Sequence, residues 1–175
     1  MQVRVELTDT FNCPVERAFK APILGDATRF LNGYLFQPAV VAFERDETWG
    51  KVNGLRYPVT GGNLFMPPGP FMADKILQRS ENHYWQWTIY DFIPTALFFL
   101  NSAVGEWTVK SIDANRTHVT YSYTFYSRNL LKHLMTLAFA KIQWNGMMRQ
   151  ALRGIREQAE SEEPFIYELR PKHSE

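Results

Sequence analysis

From Asn129 to Glu160 the chain runs for 32 residues without a proline, and its apolar residues there recur at the helical period. One helix of that length spans about 48 Å at 1.5 Å per residue. Asn129 is placed to cap its start, and Pro164 in "ESEEP" stops it. A single helix this long with one apolar stripe needs a broad surface to cover it.

The rest of the chain supplies that surface. "QVRVELTDTF" carries Val3, Val5 and Leu7 at period two, which predicts a strand with one buried face. "NCPVERAFKAPI" then predicts a short helix, with Asn12 as N-cap, Pro14 in the first turn and helical residues through Phe19. "GDATRFLN" predicts a second one, capped by Asp26. Strand patterns follow in "AVVAFERD", "GLRYPVT", "FMADKILQRS" and "YWQWTIYDF", separated by Gly, Asn, Asp and Pro. "AVGEWTVKSID" (103–113) and "RTHVTYSYTFYS" (116–127) read as a hairpin. The expectation is one α+β domain over residues 1–160, an antiparallel sheet of about seven strands covered by the long helix, with a C-terminal tail over 161–175. No repeat or Pro/Gly/Ser linker divides the chain, and 175 residues suit one domain.

Composition excludes some functions. Hydrophobic residues at 45% and aromatics at 15% rule out a disordered chain. Nineteen basic against eighteen acidic residues leave no basic excess for phosphate neutralisation, so no nucleic-acid partner is expected. The start alternates charged and apolar residues and lacks a signal-peptide core, which predicts a cytoplasmic protein. The longest apolar runs, such as "IPTALFFL", are too short to span a bilayer. Cys13 is the only cysteine and has no reactive context, and "NRT" at 115–117 without a secretory signal is an accidental glycosylation match.

Period two sorts side chains by face. In "RTHVTYSYTFYS", Val119, Tyr121, Tyr123 and Phe125 point inward; in "GEWTV", Trp107 and Val109 do, and Glu106 points out. In "HYWQWTIYDF" the inner face holds Trp85, Trp87, Ile89 and Asp91, so this aromatic run is two faces and not one stacking platform. Asp91 either touches water at the strand's open end or has a task in the interior. On the helix, Leu134, Lys141, Met148 and Ile155 fall on one line at 100° per residue, flanked by Leu130, Leu137, Trp144 and Ala151. Lys141 either lays its stem on the sheet edge with its ammonium in water or reaches the interior toward an acid or a ligand. Gly146 and Gly154 imply a bend or a close backbone approach.

The "CPVERAF" step, the "GEW" strand, the "RTHVTYSYTF" strand and the Trp/Met-bearing helix resemble the START-like, SRPBCC superfamily, in particular its polyketide cyclase/dehydrase branch, over about residues 2–160. The resemblance implies a helix-grip fold, with a cavity between sheet and helix for a small hydrophobic or amphipathic ligand, lipid-like or polycyclic aromatic. It also leaves two other functions open: a cofactor-independent, metal-free cyclase or dehydratase, and a co-chaperone-like interaction domain. The residues expected at the cavity are Trp87, Ile89, Asp91 and Trp107, then Tyr121, Tyr123 and Phe125, and from the helix Leu137, Lys141, Trp144 and Met148. Asp91, Tyr123 and Lys141 are the candidates for catalysis if there is any.

Other chemistry has no signature. The four histidines show no metal-ligand spacing, and neither a phosphate loop nor a nucleophile motif appears, so no cofactor is expected. The loop "TGGNLFMPPGP" carries Leu64, Phe65 and Met66, with Phe71 beyond, and reads equally as a lid over a pocket mouth or as a packed loop.

Overall fold

The computed structural model describes residues 1–45, 47–92 and 97–161. Strand β1 (Gln2–Phe11) leads into helix α1 (Val15–Leu24) and a single 3-10 turn at Ala27–Arg29. Strands β2 (Val40–Glu44), β3 (Leu55–Thr60), β4 (Gly69–Pro70), β5 (Ala73–Ser80), β6 (Tyr84–Tyr90), β7 (Ser102–Asp113) and β8 (Arg116–Tyr126) follow. The long helix comes last, as α2 (Leu130–Ala138), a π-helical turn (Phe139–Trp144) and α3 (Asn145–Glu160).

The sheet is antiparallel and curved, in the order β1-β8-β7-β6-β5-β3-β2, with the two-residue β4 paired to β3 beside this path. This is the α+β helix-grip architecture, with seven principal strands as the sequence predicts. The first helix differs in detail. Pro14 precedes it without a side-chain cap, and it continues past Phe19 to Leu24. The Asn12 amide instead donates to Glu160 Oε1 at 2.7 Å, tying the first strand's exit to the end of α3. Asp26 does cap its 3-10 turn, accepting from the Thr28 amide, and Asn129 caps α2 by accepting from Lys132 N at 2.9 Å. The expected tail lies, beyond Ser161, outside the described residues.

Alternation sets the inner face of the sheet, as period-two side chains require. Trp85, Trp87 and Ile89 of β6, Trp107 and Val109 of β7, and Val119, Tyr121, Tyr123 and Phe125 of β8 are all buried. Two of the tryptophans fix α1 to the sheet: Trp85 Nε1 donates to Phe19 O at 2.8 Å and Trp107 Nε1 to Ala18 O at 3.0 Å. On the outer face Glu106 collects Arg4, Tyr84 and Ser122 across four strands.

The helix crosses at close range, which decides between the two roles open to its glycines. A Cβ on Gly146 would lie 2.2 Å from the Tyr34 ring and one on Gly154 2.7 Å from Phe30 Cβ. Both glycines permit a close approach to the segment before β2.

The π-helical turn changes which side of the helix is inside. C-terminal to it, Met148, Ala151 and Ile155 are buried as the 100° projection predicts. Before the turn the projected Leu134 is exposed and Thr136 is buried, and within it Lys141 is exposed while Ala140 takes the inner position. A π turn inserts one extra residue per turn, so the inner stripe slips by one position. Lys141 is thereby turned into solvent.

Candidate functional site

Where β3 meets β5, Arg56 and Asp74 are direct cross-strand partners. Both side chains point inward and both are buried, at 5% and 4% exposure. Arg56 Nε donates to Asp74 Oδ2 at 3.1 Å. The guanidinium carbon also lies 4.1 Å from the centre of the Phe43 ring and 3.7 Å from that of Trp49, contacts that stabilise a desolvated cation. Burial pushes the Asp74 carboxyl above its ordinary value, opposed by the Arg56 charge, and lowers the guanidinium from its own, opposed by Asp74. Among the described residues the pair is not fully satisfied: Arg56 Nη1 and Asp74 Oδ1 are buried without a hydrogen-bond partner there.

Beside this pair stands an aromatic group from β6, β8 and the π turn. Trp87 Nε1 donates to the Tyr123 hydroxyl at 2.9 Å. Its indole fits because the residue opposite it on β7 is Gly105, where a Cβ would lie 2.3 Å from the ring. Trp144 packs edge-on against Tyr123 and Phe125, with ring centres 5.0 and 5.2 Å apart, and its own Nε1 is buried without a partner among the described residues. Burial pushes the Tyr121 and Tyr123 phenols well above their ordinary value, so both are neutral hydroxyls at pH 7.

Two adjoining spaces open here. The inner one, about 50 Å³, is lined by Arg56, Asp74, Trp87, Tyr121, Tyr123 and Trp144 among others. The outer one, about 330 Å³, runs between the π turn, the segment before β2, the β3–β4 loop, Phe71 before β5, and Phe92, Leu97 and Phe99 beyond β6. Its walls are almost wholly apolar. Of its two glutamines, Gln143 is engaged, its Nε2 donating to Tyr34 O and its Oε1 accepting from the Phe36 amide at 3.5 Å. Gln37, Phe71 and Trp144 line both spaces. At the mouth Phe36 and Phe65 meet edge to face with centres 5.0 Å apart, both rings more than half exposed.

Of the residues expected at a cavity, Trp144 lines both spaces and Trp87, Tyr121 and Tyr123 line the inner one. Ile89, Trp107, Phe125 and Met148 are packed in the core, and Leu137 lies partly buried against it. Asp91 is exposed: β6 ends at Tyr90 and Asp91 takes a left-handed φ of 52°, which turns it off the alternation and into water. Lys141 is exposed for the reason given above. For each, of the two places the sequence leaves open, the structure shows the one in water. Of the loop read as lid or packing, Phe65 and Met66 line the outer space and Leu64 is exposed; Phe71, just beyond the loop, lines it too.

Arg56 and Asp74 were not among the expected site residues. Asp74 had a legible signal, since it falls at period two between Met72 and Ile76, both buried. Arg56 had a misleading one: in "LRYPVT" the apolar side chains are Leu55, Tyr57 and Val59, yet the inward set is Arg56, Pro58 and Thr60. Among the described residues, no group of three or more His, Cys, Asp or Glu side chains is placed to hold a metal ion. No described helix is long and apolar enough to cross a membrane.

The family model for polyketide cyclase/dehydrase and lipid transport matches residues 2–160. A comparison with curated proteins finds no match. Among solved structures, the fold is similar to that of the ZhuI aromatase/cyclase from Streptomyces sp. R1128, at 15% identity and TM-score 0.64 over 91% of this chain and 94% of that one. It is similar also to Ara h 8.0201, at 15% identity and TM-score 0.63 over 91% and 98%. A norcoclaurine synthase of Thalictrum flavum matches at 10% identity and TM-score 0.63 over 91% and 94%.

Proposed function

The chain belongs to the polyketide cyclase/dehydrase and lipid transport family, and from that premise we propose that it binds a small, largely apolar molecule, lipid-like or polycyclic aromatic, in the outer cavity. The observation that carries this reading is the lining itself. A space of about 330 Å³ walled by Phe36, Phe65, Phe71, Phe99, Phe139 and Trp144 falls in the size range of small-molecule sites. Its mouth carries the exposed Phe36 and Phe65 rings, which gain burial when an apolar guest sits between them and the π turn.

Native mass spectrometry of the purified protein, together with titration of the neutral fluorophore N-phenyl-1-naphthylamine, tests the proposal. The expected result is an apolar species retained by the protein, or saturable fluorophore binding. Phe36→Ala and Phe65→Ala, both at exposed positions where folding is little affected, each weaken the fluorophore by about fivefold or more. Absence of both a retained species and saturable binding refutes the reading.

A further inference from the structure

Resting on that reading, we propose that the inner space is a subsite for one neutral hydroxyl group of the bound molecule, an alcohol or phenol whose apolar body occupies the outer cavity. Three residues lining the inner space carry buried polar atoms without a partner among the described residues: Arg56 Nη1, Trp144 Nε1 and Asp74 Oδ1. The first two can only donate; the third, on an ionised carboxylate, can only accept. Among the fully buried atoms the unmet inventory is two donors and one acceptor, and the half-buried Gln37 amide at the junction of the two spaces can serve either way. A hydroxyl offers the complement, two lone pairs and one O–H.

Other polar ends match less well. A carboxylate has no donor for Asp74 and brings a second negative charge beside it. An ammonium has no acceptor for Arg56 or Trp144 and sits against a guanidinium. The Arg56–Asp74 pair is neutral as a unit, so the subsite has no net charge to attract an ion. Space agrees with chemistry: about 50 Å³ exceeds the ~10–15 Å³ that one water needs and is far smaller than the outer cavity's about 330 Å³, so the inner space takes a substituent and the outer one the body. Gln37, Phe71 and Trp144 are shared walls, so a rigid aromatic in the outer cavity can direct a substituent inward.

Unmet buried donors and acceptors give hydrogen-bond selectivity that an apolar pocket cannot, because a guest lacking the group leaves them unpaired. A water molecule has the same complementarity, and a matched ligand series separates the two sources. Displacement of N-phenyl-1-naphthylamine at pH 7 by 2-naphthol, 2-methoxynaphthalene, naphthalene and 2-naphthoate is the experiment. The expected order places 2-naphthol about tenfold tighter than naphthalene. The methyl ether, which keeps the lone pairs and loses the donor, and the carboxylate both bind no tighter than naphthalene. Trp144→Phe removes one donor without unbalancing charge, and narrows the gap between 2-naphthol and naphthalene several-fold; Arg56→Met with Asp74→Leu reduces it to the part that Trp144 Nε1 carries, and the triple variant abolishes it.

Naphthalene and 2-naphthol binding equally, with the order unaffected by Trp144→Phe, overturns the subsite and leaves apolar binding standing; a resident water then answers for the three atoms. Tightest binding by 2-naphthoate overturns it in favour of an anion site. Binding of none of the series, fluorophore included, with no apolar species retained by the purified protein, removes the binding function itself.

Discussion

Replacing Arg56 by Met keeps most of the side-chain stem over Phe43 and Trp49 but leaves Asp74 buried without its cation. Removing one partner of a buried pair costs about 3–5 kcal/mol, far above the ~1 kcal/mol of an exposed pair. For a chain of 175 residues that lowers Tm by roughly 6–20 °C, at about 2–4 °C per kcal/mol. Asp74→Leu costs a similar amount by stranding the guanidinium. The double variant, with two apolar side chains in place of two desolvated charges, falls within about 1 kcal/mol of the native protein or exceeds it in stability. The pH dependence distinguishes this mechanism from simple loss of packing. Burial raises the folded-state Asp74 carboxyl above its ordinary value even with Arg56 present, and more so without it. A raised folded-state pKa gives stability that is present below the unfolded pKa and lost as pH rises through the folded one. Arg56→Met therefore gains stability relative to the double variant as pH falls from about 7 toward 4. Urea unfolding of the four proteins at both pH values measures the cycle. Single variants within about 1 kcal/mol of native, or a double variant as costly as the sum of the singles, refute the assignment of a desolvated, coupled pair.

Gly105→Ala drives a methyl to within 2.3 Å of the Trp87 indole; the expected cost is about 1–3 kcal/mol, read as a lower Tm with altered tryptophan emission as the Trp87–Tyr123 hydrogen bond shifts. On the outer face, burial raises the Glu106 carboxyl, but hydrogen bonds from Tyr84 and Arg4 outweigh it and hold the group below its ordinary 4.5. Its stabilisation is present above that value and lost as pH falls through the depressed one, so native protein loses on the order of 1 kcal/mol relative to Glu106→Gln between about pH 5 and 3 in urea titrations.

The sequence by itself determined the order of elements and the inner face wherever a strand is half buried. Val119, Tyr121, Tyr123 and Phe125 are assigned correctly because period two is enforced by the pleat, and the same holds for Trp85, Trp87 and Ile89. Caps at Asp26 and Asn129 are equally local, since the side-chain oxygen meets an amide two or three residues on. Tertiary structure decided the rest. Asp91 leaves its strand through a left-handed φ that alternation does not encode. Lys141 leaves the helix's inner line because a π turn adds one residue between Ala138 and Asn145, a shift of register that a uniform 100° projection cannot contain. The polar centre is least local of all. Arg56 and Asp74 lie eighteen residues apart and meet only through the β3–β5 register. There a charge in each strand becomes tolerable because the other strand supplies its partner.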